Sequence, residues 1–217
     1  MSERPRREGA IEDPVVANIL KAATAEFAQY GLGGARLERI IANTDTSKRM
    51  VYYHFGSKLG LYQSVLEHAI ESARAEEQGF DPEQGTPIEA LARFTEIAFD
   101  TFAGRPDFVR LLTFENLAGA VHLKGSKLIS KLNRRGLAQL ERILARGRQA
   151  AVMRTDIASI DVFMNLVGLS YYHAANHAGY LAGGFSRPVE KMLEGKSFRQ
   201  HRRAMVVEST LRFVARG

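Results

Sequence analysis

The sequence predicts an all-α protein of about nine helices: an N-terminal three-helix helix-turn-helix domain followed by a C-terminal helical bundle. Three observations carry this. Apolar residues recur at steps of three and four, the period of an amphipathic helix. No stretch sustains the alternation of a strand. Residues that start and stop helices fall between the periodic segments, with short breaks in the first third of the chain.

The first helix opens with Asp13 as its cap and Pro14 in its first turn. Val16, Leu20, Ala23, Phe27 and Tyr30 form its apolar face, and Gly31 is the expected stop. A short second helix places Leu37, Ile40, Ile41 and Thr44 on one face. Asp45-Thr46 signals a turn, and Ser47 caps a third helix running to about Phe55. After Gly56-Ser57, a connecting helix over 58–78 turns Tyr62, Val65, Leu66, Ala69 and Ile70 inward. Residues 79–86 form a linker. Thr86-Pro87-Ile88-Glu89 is a capping box, and the helix behind it buries Leu91, Phe94, Thr95, Ala98, Phe99 and Phe102. Further helices are expected from Asp107 to about Leu117, Leu128 to Arg146, Ser159 to Leu181 and Ser197 to Ala215, with a loop around Pro188. Residues 1–12 are read as a disordered N-terminal arm, 13–57 as the helix-turn-helix and 86–217 as a ligand-binding and dimerisation domain.

Apolar residues make up 45% of the 217, enough to bury a core. The net charge of +6 suits a polyanion without dictating a fold. The absence of cysteine excludes disulfides, thiolate metal sites and a cysteine nucleophile. No Gly-rich phosphate loop, Ser-His-Asp order or paired-carboxylate motif stands out, which argues against an enzyme. Residues 1–12 lack the apolar stretch of a signal peptide, and Leu166 to Phe185 is interrupted by His173, Asn176 and His177. A cytoplasmic protein away from the membrane is expected.

The third helix carries the chemistry. Val51 and Phe55 supply its inward stripe. Lys48 and Tyr52 share another face, with Arg49 and Tyr53 beside them and Met50 and His54 at its flank. Phosphates need cations and donors, whereas base edges need short-range hydrogen bonds or apolar contact. Over residues 14–63 six cations oppose three acids. The run TSKRMVYYHFGSK, together with Ile19-Leu20-Lys21-Ala22-Ala23, Phe27, Gly31 and Leu61, resembles the N-terminal signature of the TetR family of regulators. That resemblance implies a repressor that binds palindromic operator DNA as a homodimer and is released by a small-molecule effector. It implies DNA contacts for Arg36, Thr46, Ser47, Lys48, Arg49, Met50, Tyr52, Tyr53, His54 and Lys58. A dimer also follows from DNA geometry, because two reading units must reach major grooves ~34–36 Å apart.

Several positions depart from the family pattern. Asp45 stands where Gly is usual, Ile41 where a small Ala is usual and Gly60 where an acid is usual, leaving the fourth helix's capping box incomplete. Glu38 lies near a base-contacting position; an acid there repels phosphate but can accept from cytosine. Arg4, Arg6 and Arg7 could form a minor-groove arm, but Glu3 and Glu8 dilute them and a solvated tail is the preferred reading.

In the second half, aromatic and polar residues among apolar ones mark pocket candidates: Phe99, Phe102, Phe114, Glu115, Asn116, Phe163, Tyr172, His173 and Asn176. They suit an aromatic or heterocyclic metabolite, although for most of them packing in a core or an interface is the preferred reading. The segments RPDFVRLLTFENL and SKLNRRGLAQLERIL are similar to regulators of aromatic or heteroaromatic catabolism. The family's dimer uses its last two long helices, here about 159–182 and 197–215, where Ala175, Gly179 and Gly183 allow close approach. His173 and His177 have metal-binding spacing but no third ligand nearby, so no metal or other cofactor is assigned. Lys196, Arg199, Arg202 and Arg203 form a late basic cluster, read as solvated or facing an acidic partner. The alternative to an effector-released repressor is a helical DNA-binding regulator governed by abundance or a protein partner.

Overall fold

A computed structural model describes residues 13–195 and 197–216. The arm with Arg4, Arg6 and Arg7, and Lys196 of the late basic cluster, lie outside the described residues. The described residues contain eleven helices and no strand, two helices more than the sequence suggested. They divide into two compact units: residues 13–70 with Arg110–Gly125, and Glu71–Val109 with 126–216.

The first unit begins with α1 (Pro14–Gly34), α2 (Leu37–Ala42), α3 (Lys48–Phe55) and the greater part of α4 (Lys58–Ala73). Asp13 starts α1 by accepting the Val15 amide at 2.9 Å. Gly31 does not end that helix. It kinks it at φ 62°, ψ 179°, and helical turns resume to Gly34. This backbone conformation is open essentially to glycine alone. The outer half of α7 (Pro106–Leu117) belongs to this unit and sets the Phe114 ring against Gly31, where an added Cβ would lie 3.0 Å from it. The core joins Ile19, Leu20 and Phe27 of α1 to Leu37 and Ile40 of α2, Val51 of α3, Leu61, Tyr62 and Val65 of α4 and Leu111 of α7. Each fully buried aliphatic or aromatic side chain contributes roughly 1.5–3 kcal/mol. Glu115 of α7 is buried with this core. One carboxylate oxygen accepts from Tyr62 Oη at 2.9 Å and lies 2.8 Å from His122 Nδ1.

The second unit holds α5 (Ala75–Gln78), α6 (Pro87–Ala103), α8 (Lys127–Gln149), α9 (Ser159–Ala182), α10 (Arg187–Glu194) and α11 (Phe198–Val214). The expected connecting helix breaks at Arg74, whose φ of −90° and ψ of 1° leave the helical range, so α5 is separate. The expected loop around Pro188 contains α10, because Pro188 near a helix N-terminus is compatible with helix. The capping box of α6 is complete: Thr86 N–H donates to Glu89 Oε2 at 2.8 Å, and Glu89 N–H to Thr86 Oγ1 at 3.3 Å. Leu91, Phe94 and Ala98 of α6 meet Leu140, Ile143 and Leu144 of α8, Val162 and Leu166 of α9 and Val214 of α11. Arg154 N–H donates to Val214 carbonyl oxygen at 2.9 Å, tying the end of α11 to the loop before α9. No helix among the described residues is long and apolar enough to cross a membrane.

Gly31→Ala should cost at least about 1–3 kcal/mol from backbone strain, more if Phe114 cannot yield. Urea unfolding should show a lower midpoint at unchanged slope; an unshifted midpoint would mean the kink is dispensable.

Candidate nucleic-acid interface

The position of α2 is set by one buried acid. Glu26 on α1 is 9% exposed. Its Oε1 accepts the Arg36 amide at 2.8 Å and Arg39 Nε at 2.8 Å. A side chain on α1 thus satisfies a free amide at the start of α2, where no capping side chain does so. Arg39 also donates to the Gly34 carbonyl at 2.8 Å and lies 4.2 Å from the Tyr30 ring centroid. Burial alone would raise the Glu26 pKa. The bonds from Arg39 and Arg36, with the charges of Arg39 and Lys58, outweigh it and hold the carboxyl below its ordinary range.

Between α2 and α3, Thr44 Oγ1 donates to the Ile41 carbonyl and Asn43 Nδ2 to the Arg39 carbonyl. Positive φ among described non-glycine residues occurs at Ala120 and Ala151, not at Asp45, so this turn has no need of the usual glycine. Ser47 caps α3 through the Met50 amide at 3.4 Å. Val51 is fully buried beneath the helix, and Phe55 is half-buried against the same core. Opposite them, Tyr52 is 45% and Tyr53 63% exposed, with Lys48 and Arg49 exposed beside them. Arg36 and Ser47 are exposed; Thr46, Met50, His54 and Lys58 are half-buried. Thr46 Oγ1 and His54 Nε2 are shielded from solvent and have no hydrogen-bond partner among the described residues.

Lys48 Nζ donates to Glu38 Oε1 at 2.9 Å. The bond lowers the Glu38 pKa and raises that of Lys48, so both stay charged near neutrality. With both side chains more than half exposed, solvent screens the pair and it holds neither partner firmly. At α4, Ser57 Oγ accepts the Gly60 amide at 2.9 Å. A Cβ at position 60 would overlap the Phe55 carbonyl oxygen, which explains why no acid stands there.

The pocket candidates separate. Phe99, Phe102, Phe163, Tyr172, His173 and Asn176 lie in the second unit; Phe114, Glu115 and Asn116 lie in the first. Phe102 and His173 line a cleft of about 340 Å³ with His177, Phe198 and Arg199. Phe99 is buried and stacks on His173 with centroids 5.3 Å apart. Phe163 sits under the Arg74 guanidinium, 5.6 Å away. Tyr172 is exposed, and Asn176 donates back to the Tyr172 carbonyl at 3.0 Å. Glu115 is taken up by Tyr62 and His122, while Asn116 is exposed. Burial, reinforced by the charges of Arg202, His177 and Arg199, pulls the His173 pKa down to about 4, so its ring is neutral at neutral pH. His177 Nδ1 is buried without a partner among the described residues. Among those residues no group of three His, Cys, Asp or Glu could hold a metal ion.

Sequence reasoning missed Glu26 and Arg39 as the support of α2. It also left His177, Phe198 and Arg199 out of the aromatic set. His177 carried a signal, since it lies four residues after His173 on one helix.

Residues 19–65 match the pattern of bacterial regulatory proteins of the tetR family, and residues 87–209 match that of the tetracyclin repressor-like C-terminal domain. The chain is 32% identical to the HTH-type transcriptional repressor NicS of Pseudomonas putida over 73% of this chain and 75% of that one. It is 34% identical to the HTH-type transcriptional repressor SCO4008 of Streptomyces coelicolor over 50% of this chain and 54% of that one. A solved structure, the transcriptional regulator SCO4942 from Streptomyces coelicolor, superposes with a TM-score of 0.65 at 25% identity, covering 94% of this chain and 99% of that one.

Glu26→Gln removes the charge that Arg39 meets and should destabilise the protein by about 1.5–3 kcal/mol at pH 7. A depressed folded-state pKa contributes stability above the ordinary value of 4.5, and that stability is lost as pH falls through the lower folded value. The variant should therefore lose less further stability than the parent on acidification below pH 4.5. Parallel acid-unfolding curves would remove Glu26 from this role.

Proposed function

The chain belongs to the TetR family of bacterial regulatory proteins, and from that premise we propose that it is a repressor that grips a palindromic operator as a homodimer and lets go when a small aromatic or heterocyclic metabolite binds. It is a DNA-binding transcription regulator and not an enzyme. The observation that carries the operator reading is the outward face of α3, which presents Lys48, Arg49, Tyr52 and Tyr53 while Val51 anchors the helix from below.

The roles divide by chemistry. Lys48, Arg49, Met50 and Tyr53 are suited to base edges in the major groove, where short hydrogen bonds and apolar contacts discriminate. Arg36, Ser47, Tyr52 and Lys58 are suited to phosphates on either side, which fix position without reading sequence, whereas Thr46 Oγ1 and His54 Nε2 are shielded and would have to be uncovered first. Support for the dimer comes from α9. Ile160, Met164 and Tyr172 are 44%, 67% and 57% exposed. They share one stripe with exposed Gly168, Ala175 and Gly179. An apolar stripe of this length calls for a partner, and a second copy of the same helix meets it symmetrically.

The cleft beside His173 is the proposed effector site. Phe102 and Phe198 offer ring faces, the neutral His173 keeps one wall uncharged, and Arg199 supplies a donor at the rim. At about 340 Å³ it has room for a small ligand. Two helices, α4 and α7, run unbroken across the boundary between the units, so a change in the second unit has a covalent path to the first. Moving a two-state equilibrium from 1:99 to 99:1 needs ~5.5 kcal/mol of differential affinity.

Lys58→Ala should weaken binding alike for all sequences and reduce the salt slope by about 0.9. Lys48→Ala or Arg49→Ala should instead change the bases recovered from a randomised duplex library. An unaltered preference would take those side chains off the base-reading list. For the effector, a gel-shift series on DNA flanking the protein's own gene, with and without pooled metabolites, should show release. Phe102→Ala should bind DNA normally yet resist release. If no compound raises the melting temperature or frees the DNA, the effector reading fails and control by abundance or a protein partner replaces it.

A further inference from the structure

A second charged surface lies on α8, in the second unit. Leu132, Leu140, Ile143 and Leu144 bury one side of this helix. The opposite side holds Lys127, Lys131, Arg134, Arg135 and Arg142, all exposed. At 100° per residue these five fall on a single stripe, and from Lys127 to Arg142 they extend about 22 Å along the axis. The stripe's acid, Glu141, is occupied by Arg148 at 2.9 Å. Arg135 is held in place through a bond to the Gln78 carbonyl at 2.8 Å. Among the described residues no ion pair neutralises Lys127, Lys131, Arg134 or Arg142.

We infer that this face of α8 docks the phosphate backbone of duplex DNA, independently of sequence and in addition to the contacts made by α3. The inference rests on the chain being a DNA-binding regulator, and it adds a surface to that reading. Two physical points favour DNA as the occupant. The uncharged residues within the stripe are Ser130, Ala138, Ala145 and Gln149, so it has no aromatic or aliphatic anchor of the kind that protein interfaces use as their energetic centre. Along the axis the cations follow one another at about 6, 4.5, 1.5 and 10.5 Å, within reach of successive phosphates on a strand charged every ~3.4 Å of axis. The helix fixes the backbone that carries the cations, so only their side chains need ordering on binding.

The test is the binding of full-length protein to a mixed-sequence duplex across a salt series. In a variant combining Lys127→Ala, Lys131→Ala, Arg134→Ala and Arg142→Ala, affinity at low salt should fall tenfold or more. The slope of log affinity against log salt should flatten by about 0.9 for each phosphate that is no longer neutralised. The ratio of operator to mixed-sequence affinity should stay the same. A companion variant exchanging Lys for Arg and Arg for Lys at the same four positions should keep the parental slope, which separates charge from folding. An unchanged slope in the alanine variant overturns the inference. So does loss of binding to phosphatidylserine vesicles with duplex affinity intact, since that would make the face a lipid-headgroup surface. Failure of the operator reading is seen separately, as a parent protein that binds operator and mixed duplex alike.

Discussion

The reading head depends on Glu26. Its carboxylate, buried on α1, takes the Arg36 amide and the Arg39 guanidinium together, and so fixes where α2 begins and how it lies. Everything outward follows from that placement. Ile40 closes the core under α2, Val51 seats α3 on the same core, and Glu38 meets Lys48 across the turn. A buried carboxylate is tolerable here because its charge is answered by hydrogen bonds rather than left in an apolar medium. Both of its donors come from the first turn of a single short helix, which makes the joint compact.

The two ion pairs of this region differ in burial and hence in role. Glu26 with Arg39 is sheltered and positional. Lys48 with Glu38 lies in solvent, where it is weak and exchangeable. Under the proposed operator reading, the exposed pair would leave Lys48 free to exchange Glu38 for an acceptor on DNA, and Glu38 would disfavour contacts that offer Lys48 no better partner.

The second unit is organised by aromatic rings rather than by charge. Phe99 stacks on His173, and His177 stacks on Phe198 at 5.8 Å, giving a cleft walled by flat groups. Burial strips His173 of its proton, so nearby arginines do not face another cation. Arg199, at the rim of this cleft, and Arg203 are held by Asp100, whereas the α8 cations face solvent.

The amino-acid sequence by itself determined the helical class, most helix starts and the outward chemistry of α3. These are local matters: a 3.6-residue period, caps such as Asp13, Ser47 and Thr86, and a contiguous motif. Only the tertiary structure decided that Arg110–Gly125 packs with the first unit, that Glu115 serves Tyr62 and His122, and that Glu26 holds α2. Tyr62 and Glu115 are 53 residues apart, and Glu26 and Arg39 are 13. No periodic pattern encodes such pairings, since each depends on which helix faces are brought together, and that is settled by packing the whole core at once.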